Sequence, residues 1–271
     1  MTISQYKEML SRYQGSVKRP EDFEEIWKQA SERPILSVTR TPVPFCNDGA
    51  IYETLSITYD GGEIHARVIR PAAEGRHPVI LMFHDLGRGI RGWHHMTRFL
   101  AMGFGVIALD AAPFAGDWKP APEAVGFAQR YRDALILTKC ALALPFVDSD
   151  RLVSWGEGFG GGLAIVAASI LPESAKCIAL NPFPADIRSV CGHADEEVLS
   201  SLDHVDLANF APTLRARSLF GVCLMDEVAK PEGQYAIINR LSCPFRLKIY
   251  PKYAHERVNF FENEILNFLR E

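Results

Sequence analysis

The sequence lacks a long apolar run, an excess of positive charge and a closely spaced cysteine pair. Its longest uncharged apolar stretch, Gly158 to Pro172, is rich in glycine and shorter than the roughly 18 residues that a membrane-spanning helix needs. The net charge of -4 over 271 residues provides no broad cationic surface for a phosphate backbone. We therefore expect neither a membrane nor a nucleic acid as a partner.

The six cysteines are scattered along the chain, and no two of them form a C-x-x-C motif. They are Cys46, Cys140, Cys177, Cys191, Cys223 and Cys243. Several lie in apolar runs, where a reduced thiol acts as a small core residue. The first 30 residues are polar and charged, without the apolar stretch of a signal peptide. These features predict a cytoplasmic protein that acts on small soluble molecules.

The beginning of the chain predicts a helical extension followed by a β-hairpin. We expect residues 1–45 to be mainly helical, with Pro20-Glu21-Asp22 as the start signal of a second helix. Tyr52 to Tyr59 and Ile64 to Arg70 have the composition of strands, and Asp60-Gly61-Gly62 between them is a strong turn signal.

From Pro78 onward, short apolar runs alternate with helical patterns. Continuous apolar runs are typical of strands that are buried on both faces of a parallel sheet. The runs are Val79 to Phe83, Val106 to Leu109, Leu152 to Trp155, Cys177 to Leu180, Ser218 to Leu224 and Phe245 to Tyr250. The pattern predicts one α/β domain over 1–271, with a doubly wound, mostly parallel sheet and helices on both faces. Residues 181–216 form a short lid-like insertion in this interpretation.

A glycine-rich turn between a strand and a helix, at 151–164, is the most informative segment. Gly156, Gly158 and Gly161 match the spacing of a dinucleotide-binding loop. This match is weak because the next strand ends at Asn181, where an acidic residue would be needed for the ribose. We keep nucleotide binding only as a remote alternative and expect no cofactor.

The same turn also fits a nucleophile elbow, G-x-Nuc-x-G, with Gly156 and Gly160 as the flanking glycines. The nucleophile position should hold Ser, Cys or Asp, but it holds Gly158. The acid and the base of such a site follow the nucleophile along the chain. Asp226 comes directly after a buried strand and His255 lies in the loop before the last helix, so both should reach one edge of the sheet.

Several separate segments, in the same order, resemble the acetyl xylan esterase and cephalosporin-C deacetylase family of α/β-hydrolases. They are Asp22 to Trp27, Gly87-Arg88-Gly89, Tyr131 to Ala134, Arg151 to Ala164, Leu224-Met225-Asp226 and Ala254-His255-Glu256. The resemblance runs over nearly the whole chain and implies an α/β-hydrolase fold. It also implies a small acetylated sugar or related acetyl ester as the substrate, and suggests a homo-oligomer.

The resemblance assigns a role to each residue of the expected site. Asp226 would be the triad acid and His255 the general base, while the backbone N–H groups of His84 and Phe159 would form the oxyanion hole. Gly158 stands where the family carries its serine, which leaves the nucleophile position vacant. A second departure is Asp110-Ala111-Ala112-Pro113, which replaces a turn bearing Arg-Gly in family members and would alter the rim of the site.

Other residues are poor substitutes for the serine. The side chain of Glu157 should leave the backbone in another direction, and Ser154 and Cys223 have the pattern of core strand residues. His94 and His95 are adjacent without the spacing of metal ligands, so we expect no metal.

The sequence therefore predicts an acetyl esterase-like carboxylic ester hydrolase that is impaired or inactive as written. Loss of the nucleophile costs about a factor of 10^6 in turnover in a comparable serine hydrolase. Two alternatives remain open: a non-catalytic pseudo-esterase that binds an acyl or sugar ligand, and an engineered serine-to-glycine variant of an active esterase.

Overall fold

A computed structural model describes residues 2–45, 47–90 and 92–271. Within them the strands join in one mixed sheet with the order β1-β2-β3-β5-β4-β6-β7-β8-β9. The strands are β1 Ile35–Pro42, β2 Ala50–Tyr59, β3 Gly62–Pro71, β4 His77–Phe83, β5 Gly105–Leu109, β6 Val147–Glu157, β7 Ser174–Leu180, β8 Arg217–Cys223 and β9 Phe245–Tyr250. The pairs from β5 to β9 are parallel, and β1, β2 and β3 are added antiparallel at one end.

The helices fill the connections between the parallel strands and cover both faces of the sheet. They are α1 Ile3–Ser11, α2 Phe23–Glu32, α3 His94–Leu100, α4 Phe127–Leu142, α5 Phe159–Ile170, α6 Ile187–Val190, α7 Glu196–Leu202, α8 Leu207–Phe210, α9 Pro231–Ile238 and α10 Asn259–Arg270, with 3-10 turns at Pro122–Val125 and Ala211–Thr213. This arrangement confirms the predicted α/β-hydrolase fold. None of the helices in the described ranges combines the length and apolar composition that a membrane crossing requires.

The N-terminal extension is not helical throughout, contrary to our expectation for residues 1–45. It contains α1 and α2, but Ile35–Pro42 then forms β1, which pairs antiparallel with β2. This edge strand is mostly exposed, so it lacks the apolar run by which the inner strands were found. The predicted hairpin of β2 and β3 is confirmed, and Gly61 adopts a positive φ of 116° at its turn.

Two apolar layers hold the sheet between its helices. The larger layer packs the helices α1, α2, α4, α5 and α9 on one face, and the smaller one packs α3 and α10 on the other. Trp27 of α2 is an anchor of the larger layer, with its ring centroid 5.5 Å from that of Tyr131 on α4. The indole N–H of Trp27 also donates to the carbonyl of His204, which ties α2 to the 181–216 segment.

The predicted insertion corresponds to the connection between Leu180, the last residue of β7, and Arg217, the first of β8. It carries three short helices, α6, α7 and α8. The ring of Phe183 packs 5.7 Å from the ring of His255, so the insertion reaches the carboxyl edge of the sheet. Its action as a lid stays a prediction.

The five cysteines within the described ranges are buried free thiols. They are Cys140, Cys177, Cys191, Cys223 and Cys243. Their burial agrees with the interpretation of reduced core residues. Cys46 lies outside the described residues.

Candidate active site

Gly158 forms a sharp turn between β6 and α5, with φ 57° and ψ -127°. Residues with a side chain are strained in this conformation, whereas glycine adopts it freely. The flanking glycines are required by close packing. A Cβ atom on Gly156 would lie 2.1 Å from the carbonyl carbon of Gly160, and one on Gly160 would lie 2.4 Å from the carbonyl oxygen of Phe83. The backbone therefore has the geometry of a nucleophile elbow although no nucleophile stands there.

The structure brings Asp226 and His255 together at the carboxyl edge of the sheet. Oδ2 of Asp226 lies 2.8 Å from Nδ1 of His255. Oδ1 of the same carboxylate accepts N–H groups from Val228 and Ala229 at 2.9 and 2.8 Å, which fixes its orientation. Asp226 is buried, with 1% of its surface exposed. The pair has the geometry of a triad acid and base, and its catalytic role stays a prediction.

Asp85, which the sequence analysis did not single out, completes the site. It follows β4, and its Oδ2 lies 2.9 Å from Nε2 of His255. Its Oδ1 accepts the backbone N–H groups of Phe159 at 2.9 Å and of Leu86 at 2.8 Å. A Cβ atom on Gly158 would lie 2.1 Å from that oxygen. The Asp85 carboxylate therefore occupies the space that a side chain at position 158 would need.

Position in the fold could have identified Asp85. It comes two residues after Phe83, the end of a strand that is buried on both faces, as Asp226 follows Cys223 at the end of β8. The argument that placed Asp226 and His255 at one sheet edge applies equally to Asp85.

His255 lies between two carboxylates, and this controls its charge. Burial lowers the pKa of His255, but the hydrogen bonds and charges of Asp226 and Asp85 outweigh this effect and raise it to about 9. Burial likewise raises the pKa of the Asp85 carboxyl, but the contact with His255 and the two backbone N–H groups hold it below its ordinary value. At neutral pH His255 is therefore an imidazolium ion held between the side chains of Asp85 and Asp226.

Three clefts meet at Asp85. The largest, about 560 Å³, is lined by Asp85, His84, Glu157, Arg88 and Arg257 among others. A second, about 360 Å³, lies on the side of Phe159 and Ala111-Ala112, and a third, about 210 Å³, is lined by Asp85, Glu157, Gly158 and His255 among others. Asp85 thus forms part of the wall of all three clefts.

The predicted oxyanion donors lie beside these clefts. The N–H of Phe159 is already engaged by Asp85, and His84 lines the first and second clefts. Their function as an oxyanion hole for a substrate stays a prediction. The hydrogen bond from Phe159 also places the Asp85 carboxylate at the N-terminus of α5. A bound dinucleotide would have to place its pyrophosphate in the same position.

The rejected nucleophile candidates lie in different surroundings. Ser154 is buried on β6, and its hydroxyl lies 3.2 Å from that of Ser174. Cys223 is fully buried on β8, and burial raises the pKa of its thiol to about 11. Glu157 lines two of the clefts, and burial raises the pKa of its carboxyl against the opposing charges of Arg257, Arg88 and Arg98.

The adjacent histidines and Asp110 are the remaining residues to which the sequence pointed. The rings of His94 and His95 pack against each other with centroids 4.1 Å apart. Within 2–45, 47–90 and 92–271, no three His, Cys, Asp or Glu side chains converge so that they could hold a metal ion. Asp110 lies at the end of β5 with 43% of its side chain exposed, and it pairs with Arg67 at 4.0 Å.

Solved structures support the fold assignment. Acetyl xylan esterase 1 from Thermoanaerobacterium sp. JW/SL YS485 superimposes with a TM-score of 0.85 and 25% identity, over 99% of this chain and 98% of that one. An acetyl xylan esterase from Paenibacillus sp. R4 gives a TM-score of 0.82 and 22% identity, over 100% and 99%. A cold-adapted esterase from an Arctic intertidal metagenomic library shares the fold at a TM-score of 0.66 and 14% identity, over 86% and 98%.

Sequence comparisons identify the family. A quorum-quenching protein, AidA, from Acinetobacter baumannii strain MDR-ZJ06 is 27% identical over 191 residues, which are 68% of this chain and 60% of that protein. The family model for acetyl xylan esterase (AXE1) matches residues 1–121, 115–196 and 191–271, so it spans the whole chain. With its α/β-hydrolase fold, the chain belongs to the acetyl xylan esterase family.

Proposed function

We propose that this protein is a serine-independent member of its family, with a carboxylate-centred site, and that it does not remove acetyl groups through an acyl-enzyme on residue 158. The observation that carries the proposal is the position of Asp85. Its carboxylate contacts His255 and the N–H of Phe159, and it fills the space beside Gly158.

Gly158 lacks the hydroxyl oxygen that ordinary ester hydrolysis by a serine hydrolase requires. In that reaction a serine Oγ attacks the acyl carbon while the histidine takes its proton and the acid orients the histidine. Gly158 has no side chain, so no acyl-enzyme can form there. Because Asp85 accepts the N–H of Phe159, an ester carbonyl would also have to displace a carboxylate in order to bind as expected.

The contact between Asp85 and position 158 supports a native glycine over an engineered one. A serine side chain at 158 would collide with Asp85, since its Cβ would lie 2.1 Å from Oδ1. Glycine and aspartate are thus a matched pair, whereas an active serine enzyme would need a smaller residue or a different rotamer at 85.

The ligand and the cellular setting are parts of the same proposal. We favour a small soluble ligand at the clefts around Asp85, with an acetylated sugar as the family's substrate class. Because the Acinetobacter relative is a quorum-quenching protein, a quorum-sensing signal molecule is a second ligand to test. A cytoplasmic location and a homo-oligomer remain proposals as well.

The second candidate function is a non-catalytic protein that binds an acyl or sugar ligand. It is favoured by the ion-paired state of His255, whose Nε2 is held by Asp85 and is not free to take a proton from a nucleophile. Saturable binding of acetylated xylo-oligosaccharides without turnover, measured by calorimetry, would favour this candidate.

The test is the rate of p-nitrophenyl acetate hydrolysis by four proteins: the chain as written, Asp85→Ala, Gly158→Ser and the double variant. We expect a fast rate only for the double variant, because it alone has both a nucleophile and a vacant site for the ester carbonyl. Asp110→Ala is the matched control, since it removes an aspartate at the end of the neighbouring strand. Fast hydrolysis by the chain as written would contradict the proposal.

A further inference from the structure

We propose that Asp85 is itself a covalent nucleophile, which attacks a saturated carbon of a small strained cyclic ether, an epoxide, while Glu157 protonates the oxygen that leaves. This inference rests on the proposed function, because it requires that residue 158 contributes no nucleophile. It would explain why Asp85 occupies the space beside Gly158.

Two carboxyl groups face the same space at the site. Asp85 and Glu157 both line the cleft of about 560 Å³ and the cleft of about 210 Å³. A ligand in either cleft can therefore contact both carboxyl groups, each at a different atom of the ligand.

The two groups differ in their surroundings, and this separates their roles. Asp85 is held ionised by His255 and by backbone N–H groups. The side chain of Glu157 makes no hydrogen bond to the described residues, and burial raises the pKa of its carboxyl although the charges of Arg257, Arg88 and Arg98 oppose this. Carboxyl groups whose environments push their pKa values apart are the usual sign of one base or nucleophile and one acid.

The two oxygens of Asp85 also differ, and the difference suits a covalent ester. Oδ1 accepts the N–H groups of Phe159 and Leu86, while Oδ2 hydrogen-bonds, among the described residues, to the ring of His255. If Oδ2 carries an alkyl group, Oδ1 becomes the carbonyl oxygen of an ester already seated on two N–H donors. Such donors stabilise the negative charge that develops when water attacks the ester.

In the first step, Oδ2 of Asp85 forms a bond to a ring carbon and the bond from that carbon to the ring oxygen breaks. The oxygen leaves with the electron pair and takes the proton of Glu157. The product is a hydroxyalkyl ester of Asp85, and Glu157 is left as a carboxylate. Since Asp85 is now neutral, His255 loses one of the two charges that hold its proton and releases it to solvent.

In the second step, His255 takes a proton from water as the water oxygen bonds to Cγ of Asp85. Negative charge moves to Oδ1, where Phe159 and Leu86 donate. The bond from Cγ to Oδ2 then breaks, and the departing alkoxide takes the proton from His255, which releases a diol. The new acid proton of Asp85 returns to Glu157, and His255 regains its proton from solvent. The sum is one epoxide and one water converted to one diol.

The test follows an oxygen atom in the unmodified protein. The whole chain, in excess over styrene oxide, is incubated in water enriched in the heavy oxygen isotope, and the peptide that contains Asp85 is weighed by mass spectrometry. Because Oδ2 departs in the product and the water oxygen stays, we expect one heavy oxygen in Asp85 and none in the first diol. Label in the diol alone, or no conversion by the folded protein, would overturn the inference.

Variants assign the steps to residues. His255→Gln should accumulate an alkyl adduct on Asp85, since the base for the second step is missing. Asp85→Asn should abolish turnover, and Glu157→Gln should lower it by about 100-fold to 10,000-fold, as expected for loss of a general acid. Asp110→Asn should leave it unchanged. An adduct on any residue other than Asp85 would contradict the inference.

The two proposals fail in different ways. Rapid hydrolysis of p-nitrophenyl acetate by the chain as written would contradict the proposed function. Slow ester hydrolysis together with unlabelled Asp85 would leave the proposed function intact and overturn only the covalent role of Asp85.

Discussion

Nε2 of His255 lies 2.9 Å from Oδ2 of Asp85, and the two residues are 170 positions apart in the sequence. This contact joins the loops that follow the carboxyl ends of β4 and β9, and it stands where a serine hydrolase has its contact between base and nucleophile. Three predictions follow from this contact and its surroundings, and a fourth concerns the packing of the N-terminal helices. Each can be measured on the purified protein.

The first prediction concerns stability at alkaline pH. Because the pKa of His255 rises from 6.5 in the unfolded chain to about 9 in the folded one, its ion pairs stabilise the protein fully below about pH 6.5. This contribution is lost as the pH rises towards 9. We expect the Tm to fall over that window by an amount that corresponds to a few kcal/mol at most. His255→Gln should remove most of this fall, and an unchanged slope in that variant would contradict the prediction.

The second prediction concerns Asp226→Asn. The amide can still accept the N–H groups of Val228 and Ala229 but carries no charge, so His255 keeps only Asp85 as a charged partner. We expect the pKa of His255 to fall, which an NMR titration of its ring would measure. Glu256→Gln is the control, because this exposed neighbour has no hydrogen bond to the ring and should leave the titration unchanged.

The third prediction concerns the stability of Gly158→Ser. The serine must adopt φ 57° and meet Asp85, so the free energy of unfolding should fall by about 1–3 kcal/mol from backbone strain alone, and further from the collision. With Asp85→Ala in the same chain, the collision part should disappear. A double-mutant cycle by urea denaturation measures this coupling, and purely additive effects would show that the two residues do not compete for space.

The fourth prediction concerns the anchor of the N-terminal helices. Trp27 is 2% exposed and packs on Tyr131, so Trp27→Ala should lower the free energy of unfolding by about 3–5 kcal/mol. Ile26→Ala is the matched control on the same helix, because Ile26 is 38% exposed and should cost little. Equal losses from the two variants, measured by urea denaturation, would show that α2 is not held through Trp27.

Local pattern was enough to predict the parts of this fold whose signal lies within a short segment. The inner strands are continuous apolar runs, the hairpin carries a glycine turn, and the elbow carries its flanking glycines. The sequence did not predict β1, because an exposed edge strand has no apolar run. It is recognised only by its pairing with β2.

The sequence alone determined the family, the fold and the loops that carry Asp226 and His255, since strand ends mark the carboxyl edge of a sheet wherever they occur. Only the tertiary structure decided what stands in place of the serine. Asp85 has no motif of its own, and its role depends on Phe159 and His255, which are 74 and 170 residues away. The pairing of β4 with β6 brings the Asp85 carboxylate next to Gly158. It fits there because glycine has no Cβ atom at position 158.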